Sequence, residues 1–283
     1  MSKLLLYVAE TYHPQKTDAD IVLKNEITQE ELTQLNSAFR VCSIYHSITQ
    51  IKDIVVENGE SFKRFMGAQN LKMLRRNNVS PERAITLANK AVLNYASSIK
   101  TYIDMETRLL KKKSTKEALS SFEAICHTFY DKNIEYRFWA NFRNYIVHCE
   151  FPYSVYQESV DTGCRIICTK EHLLQFDNWK HSKDDIQKMD DIIDLPGLVD
   201  NMSGMIYALY IDFFSYFAND ILDGINTYGT FCRKYDVKVP VIFKTKDKEN
   251  IEGSHVQPLP IKELKASFDI LKSNPKIKIN IKE

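Results

Sequence analysis

Glycine and proline are scarce in this chain, with eight of each among 283 residues. A turn-rich all-β fold needs more of both, so the shortage points to long helices. Excess charge is missing too, since 38 basic residues face 37 acidic ones. That balance excludes a histone-like polybasic binder and leaves room only for a local basic groove. Six cysteines, at 42, 126, 149, 164, 168 and 232, form no C-x-x-C pair and no regular framework. Met1 to Ala9 is too short for a secretory leader and runs straight into Glu10. Free thiols and a reducing, cytoplasmic setting are therefore expected. No Gly-rich phosphate loop, G-x-S-x-G or H-E-x-x-H occurs, which leaves kinase, hydrolase and zincin readings without support.

What is present is core material: 44% hydrophobic and 11% aromatic residues. Leu4 to Val8 reads as a short buried strand. Thr11 to Lys24 reads as a polar loop. Thr28-Gln-Glu-Glu31 is a capping-box pattern that opens a helix, with Leu32, Leu35, Phe39, Cys42, Ile48, Ile51 and Val55 inward and Gly59 as its stop. Phe62, Phe65 and Met66 suggest a further short helix. Ser80-Pro81-Glu82 is a strong start for a long amphipathic helix through Leu110. Ser114-Thr-Lys-Glu117 is a second capping box, opening a helix with Leu119, Phe122 and Phe129 inward. Asp131-Lys-Asn133 either interrupts it or is run through by one longer helix.

Beyond Ser154 the pattern predicts a hairpin, with a turn at Asp161-Thr-Gly163 and a β-branched run from Arg165 to Thr169. A short helix over Glu171 to Phe176 and an acidic amphipathic stretch over Trp179 to Ile193 follow. Leu198 to Tyr228 is the greasiest segment, nearly long enough to cross a bilayer. Asp212 lies in its middle, at a cost of about 2.5–3.5 kcal/mol in hydrocarbon, so a bundle helix is expected and no membrane. Val237 to Lys244 carries a proline and predicts an edge strand or a late pairing partner. Lys246 to Pro260 reads as a surface loop and Ile261 to Lys272 as a helix. The terminal PKIKINIK alternates like an edge strand with outward lysines.

The stretch Tyr136 to Glu150 carries the pattern that looks like chemistry. Phe138, Phe142, Tyr145, Ile146 and Cys149 recur at helical spacing and predict one buried stripe. Arg137, Asn141, Asn144 and His148 form a second, polar line on the same helix. Arg143 stands about 140° from His148 around the axis, so the two meet only if the long side chain curls or a second chain contributes. Pro152 ends the helix and leaves His148 in its last turn.

Arg143-Asn144-Tyr-Ile-Val-His148 resembles the R-x(4–6)-H signature of HEPN domains, and the two-helix order of Ser80 to Glu150 is similar to theirs. The resemblance implies a mainly α fold: a HEPN-like bundle in one domain over 1–283. Its core would cover about 28–150 plus 195–230, with a β insert at about 154–176 and a strand-forming tail at about 237–283. It implies a metal-independent endoribonuclease that uses the RNA 2′-hydroxyl as nucleophile, with no cofactor. Arg143, His148 and Asn144 are then the catalytic candidates, and Arg137, Asn141 and Tyr145 the candidates for substrate binding. Arg143 would hold a phosphate oxygen, His148 would move protons, and Asn144 would orient the ring or the phosphate. The family pairs two motifs across a homodimer, making a composite site. Its uses in toxin–antitoxin and phage-defence systems add an antitoxin or other regulatory partner to the expectation. The alternative is a non-catalytic HEPN-like module that binds a nucleotide, RNA or a second copy. A metal site built from His148, Cys149, Cys164, Cys168 and His172 is not expected, because Cys164 and Cys168 stand roughly 13 Å apart on a strand.

Overall fold

The structure, a computed structural model, describes residues 5–12, 20–159, 163–245 and 255–278. Two strands come first, β1 (Leu5–Tyr12) and β2 (Asp20–Glu26). Helices α1 (Gln29–Ala38), α2 (Arg40–Met66), α3 (Ala68–Arg76), α4 (Pro81–Lys113), α5 (Lys116–Lys132) and α6 (Ile134–His148) follow. A hairpin of β3 (Val155–Ser159) and β4 (Gly163–Ile167) leads to two short helices, α7 (Lys170–Leu174) and α8 (Ser182–Lys188). The rest comprises α9 (Val199–Ser215), α10 (Ala218–Tyr235), β5 (Pro240–Thr245), β6 (His255–Pro258) and α11 (Ile261–Ser273). The chain is thus mainly helical with a small antiparallel sheet, as the shortage of glycine and proline predicts.

Local chemistry explains most boundaries. The Thr28 hydroxyl accepts from the Glu31 N–H at 3.1 Å, and the Glu31 carboxylate returns the bond to the Thr28 N–H at 2.8 Å. The Ser80 hydroxyl caps α4 through the Arg83 N–H at 3.3 Å, with Pro81 in the first turn. The cap of α5 is Thr115 rather than Ser114, because its hydroxyl accepts from the Ala118 N–H at 3.2 Å. Between α5 and α6 the chain is interrupted at Asn133, which is extended.

Several expectations are corrected. Gly59 does not stop a helix; α2 runs through it to Met66. A Cβ there would lie 2.9 Å from both the Tyr95 ring and a Val199 methyl, so the glycine serves close packing. The loop expected up to Lys24 contains β2, whose Val22 is exposed and whose Leu23 alone of the pair turns inward. The expected edge strand at Val237 to Lys244 is interior, because β5 lies between β1 and β6 in the order β2-β1-β5-β6. Pro240 is tolerated as its first residue. The loop expected up to Pro260 includes strand β6; residues 246–254 lie outside the described residues. The tail forms a turn at Pro275 and Lys276 with no strand up to Lys278, and 279–283 again lie outside. The greasy segment is two helices, α9 and α10, broken at Tyr216 and Phe217. Among the described residues no helix is long and apolar enough to cross a membrane.

The chain divides into two compact units. One comprises Met1–Ser47 with Phe214–Glu283. Its sheet pairs Tyr7 with Phe243 and Ala9 with Val241, and these four residues form a buried cluster on one face. The first turn of α1 is tied to the end of α10, where Lys234 and the Tyr235 hydroxyl both donate to the Glu31 carboxylate.

The other unit is Ile48–Phe213, and it holds the α4–α5–α6 bundle. Its centre is aromatic. Phe138, Trp139, Phe142 and Tyr145 of α6 are each no more than 1% exposed. Trp179 lies parallel to Phe138 and Tyr145, with ring centroids 5.6 Å and 5.3 Å away. Trp139 meets the Tyr95 ring edge-on at 4.8 Å and donates its N–H to the Leu198 carbonyl at 3.0 Å. Each such ring buries about 150–250 Å² and fixes orientation as well as depth. The rotation of α6 about its axis is set by these rings.

Candidate functional site

With Phe138, Phe142 and Tyr145 locked inward, the helical period turns Arg143, Asn144 and His148 outward. All three are exposed, and none has a hydrogen-bond or ion-pair partner among the described residues. The other half of the predicted polar line is covered. Arg137 forms a two-pronged pair with Asp185 of α8, at 2.8 Å and 3.1 Å, and donates to the Tyr130 and Asp131 carbonyls at 2.7 Å. Asn141 is buried, its amide nitrogen 3.0 Å from the Ser182 hydroxyl, 3.0 Å from the Arg137 carbonyl and 3.3 Å from the Tyr130 hydroxyl. Tyr145 is fully buried within the aromatic stack. The polar line thus divides: Arg137 and Asn141 hold α8, while Asn144 and His148 stay open. Tyr145 offers no surface to a ligand.

A cleft of about 470 Å³ opens beside the exposed half of α6. Ala140 keeps it open, since its methyl group occupies little of the space between helices. Ile99, Ile103, Trp139 and Met202 make an apolar floor, and the rings of Tyr130 and Tyr136 also line it. Arg143, Asn144, Lys100, His127, Lys180 and His181 form its polar rim. No aspartate or glutamate lines it among the described residues. Lys100 is held by Asp104 at 2.7 Å, whereas Arg143 and Lys180 have no carboxylate partner among the described residues.

The rim residues from outside α6 are placed by the burial of their neighbours. Trp179 is fully buried and donates its N–H to the Leu173 carbonyl at 2.6 Å. Ser182, also fully buried, donates to the Arg137 carbonyl at 3.0 Å. The two residues between these anchors, Lys180 and His181, have nowhere to go but outward, and both are exposed. Lys180 adopts φ 54° and ψ −132°, a backbone conformation suited to glycine. Arg137 and Asn141 therefore act as positioning residues for this loop.

Of the sequence candidates, the structure brings Asn141, Arg143 and Asn144 together on one cleft and leaves His148 one turn further on, outside its lining. His127, Lys180 and His181 escaped the sequence reading. They come from α5 and from a two-residue loop, and no spacing in the chain relates them to the motif. Among the described residues no group of three or more His, Cys, Asp or Glu side chains gathers in a way that could hold a metal ion. All six cysteines are free thiols.

The sequence also passed over a buried acid on α4. Glu106 is fully buried and accepts the Tyr102 hydroxyl at 2.5 Å, while its second oxygen has no partner. Burial pushes its carboxyl up to about 8, and the nearby charge of Asp212 adds to the rise. It does not line the cleft. Comparison of the chain with protein-family models, with curated proteins and with solved structures finds no match.

Proposed function

We propose that the chain is a metal-independent endoribonuclease of the HEPN type, acting through Arg143, Asn144 and His148. The observation that supports this most is their shared freedom: three side chains able to work on a phosphodiester are exposed on the last turns of one helix, with no partner among the described residues. In the proposed reaction the RNA 2′-hydroxyl loses its proton to the imidazole of His148 and its oxygen attacks phosphorus. The bond to the 5′-oxygen breaks, that oxygen takes a proton from water or from the protonated imidazole of a second copy, and a 2′,3′-cyclic phosphate is left. Arg143 stabilises the negative charge that grows on the phosphate oxygens. Because His148 lies outside the cleft lining, Arg143 and His148 would serve one phosphate at the cleft edge, or cleft and imidazole would come from two copies in a homodimer.

The same displacement of His148 from the cleft favours a second reading, a module that binds a nucleotide or RNA without cutting it. An RNA cleavage assay in the presence of a chelator separates the two. Loss of at least about 100-fold in rate is expected for both His148→Ala and Arg143→Ala, in line with the usual contribution of acid–base groups. Cleavage that survives both substitutions would remove the nuclease reading, and binding without turnover would establish the module.

A further inference from the structure

We propose that a second pocket of the helical unit binds a free α-amino acid with an apolar side chain. The pocket lies between the end of α2, α3, strand β4 and the segment Ile192 to Pro196, and measures about 380 Å³. It shares no lining residue with the α6 cleft, so the inference stands apart from the nuclease reading.

Backbone pairing fixes its walls. Arg165 stands opposite Gln157 in the β3–β4 hairpin. The Ile193 N–H donates to the Cys168 carbonyl at 2.9 Å, and the Lys170 N–H to the Asp191 carbonyl at 2.9 Å. These bonds pin the segment that carries Asp194 beside the end of β4. A Cβ at Gly197 would lie 2.6 Å from an Asp194 carboxylate oxygen, so the bare glycine leaves that side chain its room. Leu71, Ile166, Ile167 and Ile193 are each no more than 6% exposed and make an apolar floor, which the exposed Ile192 extends to the lip. Asn89 clamps the backbone of Tyr153 in the wall, with bonds of 2.8 Å and 3.1 Å. The buried Tyr153 hydroxyl has no hydrogen-bond partner among the described residues, which is uncommon in a packed interior.

Charge selects the ligand. Among the described residues Arg165 and Asp194 are the two charged side chains of the lining; both are exposed, and no ion pair joins them to each other or to a third residue. A fatty carboxylate would match Arg165 and be repelled by Asp194, and an amine would meet the reverse. A neutral apolar molecule would leave both charges unused. An α-amino acid carries a carboxylate and an ammonium on one carbon. The guanidinium donates to the first through two N–H groups, the Asp194 carboxylate accepts from the second, and the side chain covers the leucine and isoleucine floor. The volume sits near the low end of the roughly 300–1,000 Å³ of pockets that hold small organic ligands, as suits a molecule of this size.

The test is a ligand-observed NMR titration of the full chain with L-leucine, L-isoleucine, L-methionine and L-phenylalanine. The tightest of the four should bind saturably. Three relatives of that amino acid are then compared with it: glycine lacks the side chain, the N-acetyl derivative lacks the ammonium, and the amide lacks the carboxylate. Each should bind at least about tenfold more weakly, the size of one charge-assisted hydrogen bond or one buried side chain. Arg165→Gln and Asp194→Asn alter exposed side chains, so both variants should stay folded. Arg165→Gln should erase the preference for the amino acid over its amide, and Asp194→Asn the preference over its N-acetyl derivative. General destabilisation cannot produce that crossed pattern. An amide or N-acetyl derivative that binds the parent chain as tightly as the amino acid, variants that keep both preferences, or no saturable binding of any of the four at tens of millimolar overturns the proposal. Failure here leaves the nuclease reading standing, since that depends on cleavage and on His148.

Discussion

Glu106 shows how one buried atom can make stability depend on pH. Its carboxyl ionises near 4.5 in an open chain and near 8 in the folded one, because burial disfavours the charged form. Between those values the unfolded state has released a proton that the folded state keeps. Stability is thus fully present below about 4.5, and it falls as pH rises through that window. Glu106→Gln removes the titration and keeps an acceptor for the Tyr102 hydroxyl. Urea unfolding should give similar stabilities for variant and parent near pH 4. By pH 8 the variant should be ahead, by roughly 1.4 kcal/mol for each pH unit crossed. A difference that does not change with pH would show that the carboxyl is ionised inside the fold.

At the scale of elements, α6 and the turn before α8 form one device. Asn141 anchors Ser182, and Arg137 anchors Asp185, so the covered half of the α6 polar line holds the loop that carries Lys180 and His181. Asn141→Ala leaves the Ser182 hydroxyl with one bond fewer in a buried setting. It should cost about 1–3 kcal/mol in denaturant unfolding and also weaken ligand binding in the cleft, which Asn141 itself lines. Unchanged binding would detach the loop from the site.

Much of this level was legible in the sequence, and the exceptions have physical causes. Thr28, Ser80 and Pro81 announced their helices because capping is local chemistry. Gly59 misled because a glycine that admits a neighbouring ring reads like one that ends a helix. Strand β2 was missed because its apolar run, Ile21 to Leu23, is only three residues long between polar flanks, and its pairing with β1 is a tertiary fact. Pro240 suggested an edge because a missing N–H matters only in mid-strand, and it stands at the start. Spacing singled out Arg143 and Asn144, which line the cleft, and gave no sign that Lys180 and His181 would join them there. A helical wheel shows which residues share a side, but not that α8 would cover half of it.

For the whole molecule, near-neutral charge limits how RNA can be held. With 38 basic and 37 acidic residues, the chain has almost no net positive charge to spread along a polyanion. Contacts should be confined to the few rim cations, Arg143, Lys180 and Lys100. Single-stranded RNA releases about 0.7 counterions per neutralised phosphate. The logarithm of the affinity should therefore fall against the logarithm of salt concentration with a slope of only about −2, measurable by fluorescence anisotropy. A slope near −6 would mean that a larger basic surface does the binding.

The sheet that pairs Tyr7 with Phe243 joins segments made at opposite stages of synthesis. At about 5–20 residues added per second, β1 leaves the ribosome tens of seconds before β5 exists. By the last few seconds of that wait the helical segment Ile48–Phe213 has been made, while β1 still lacks one of its two neighbours. Translation thus delivers the α6 cleft first and the full sheet afterwards, and a nascent chain stalled before Pro240 would carry a complete α6 segment and a β1 with one edge unpaired.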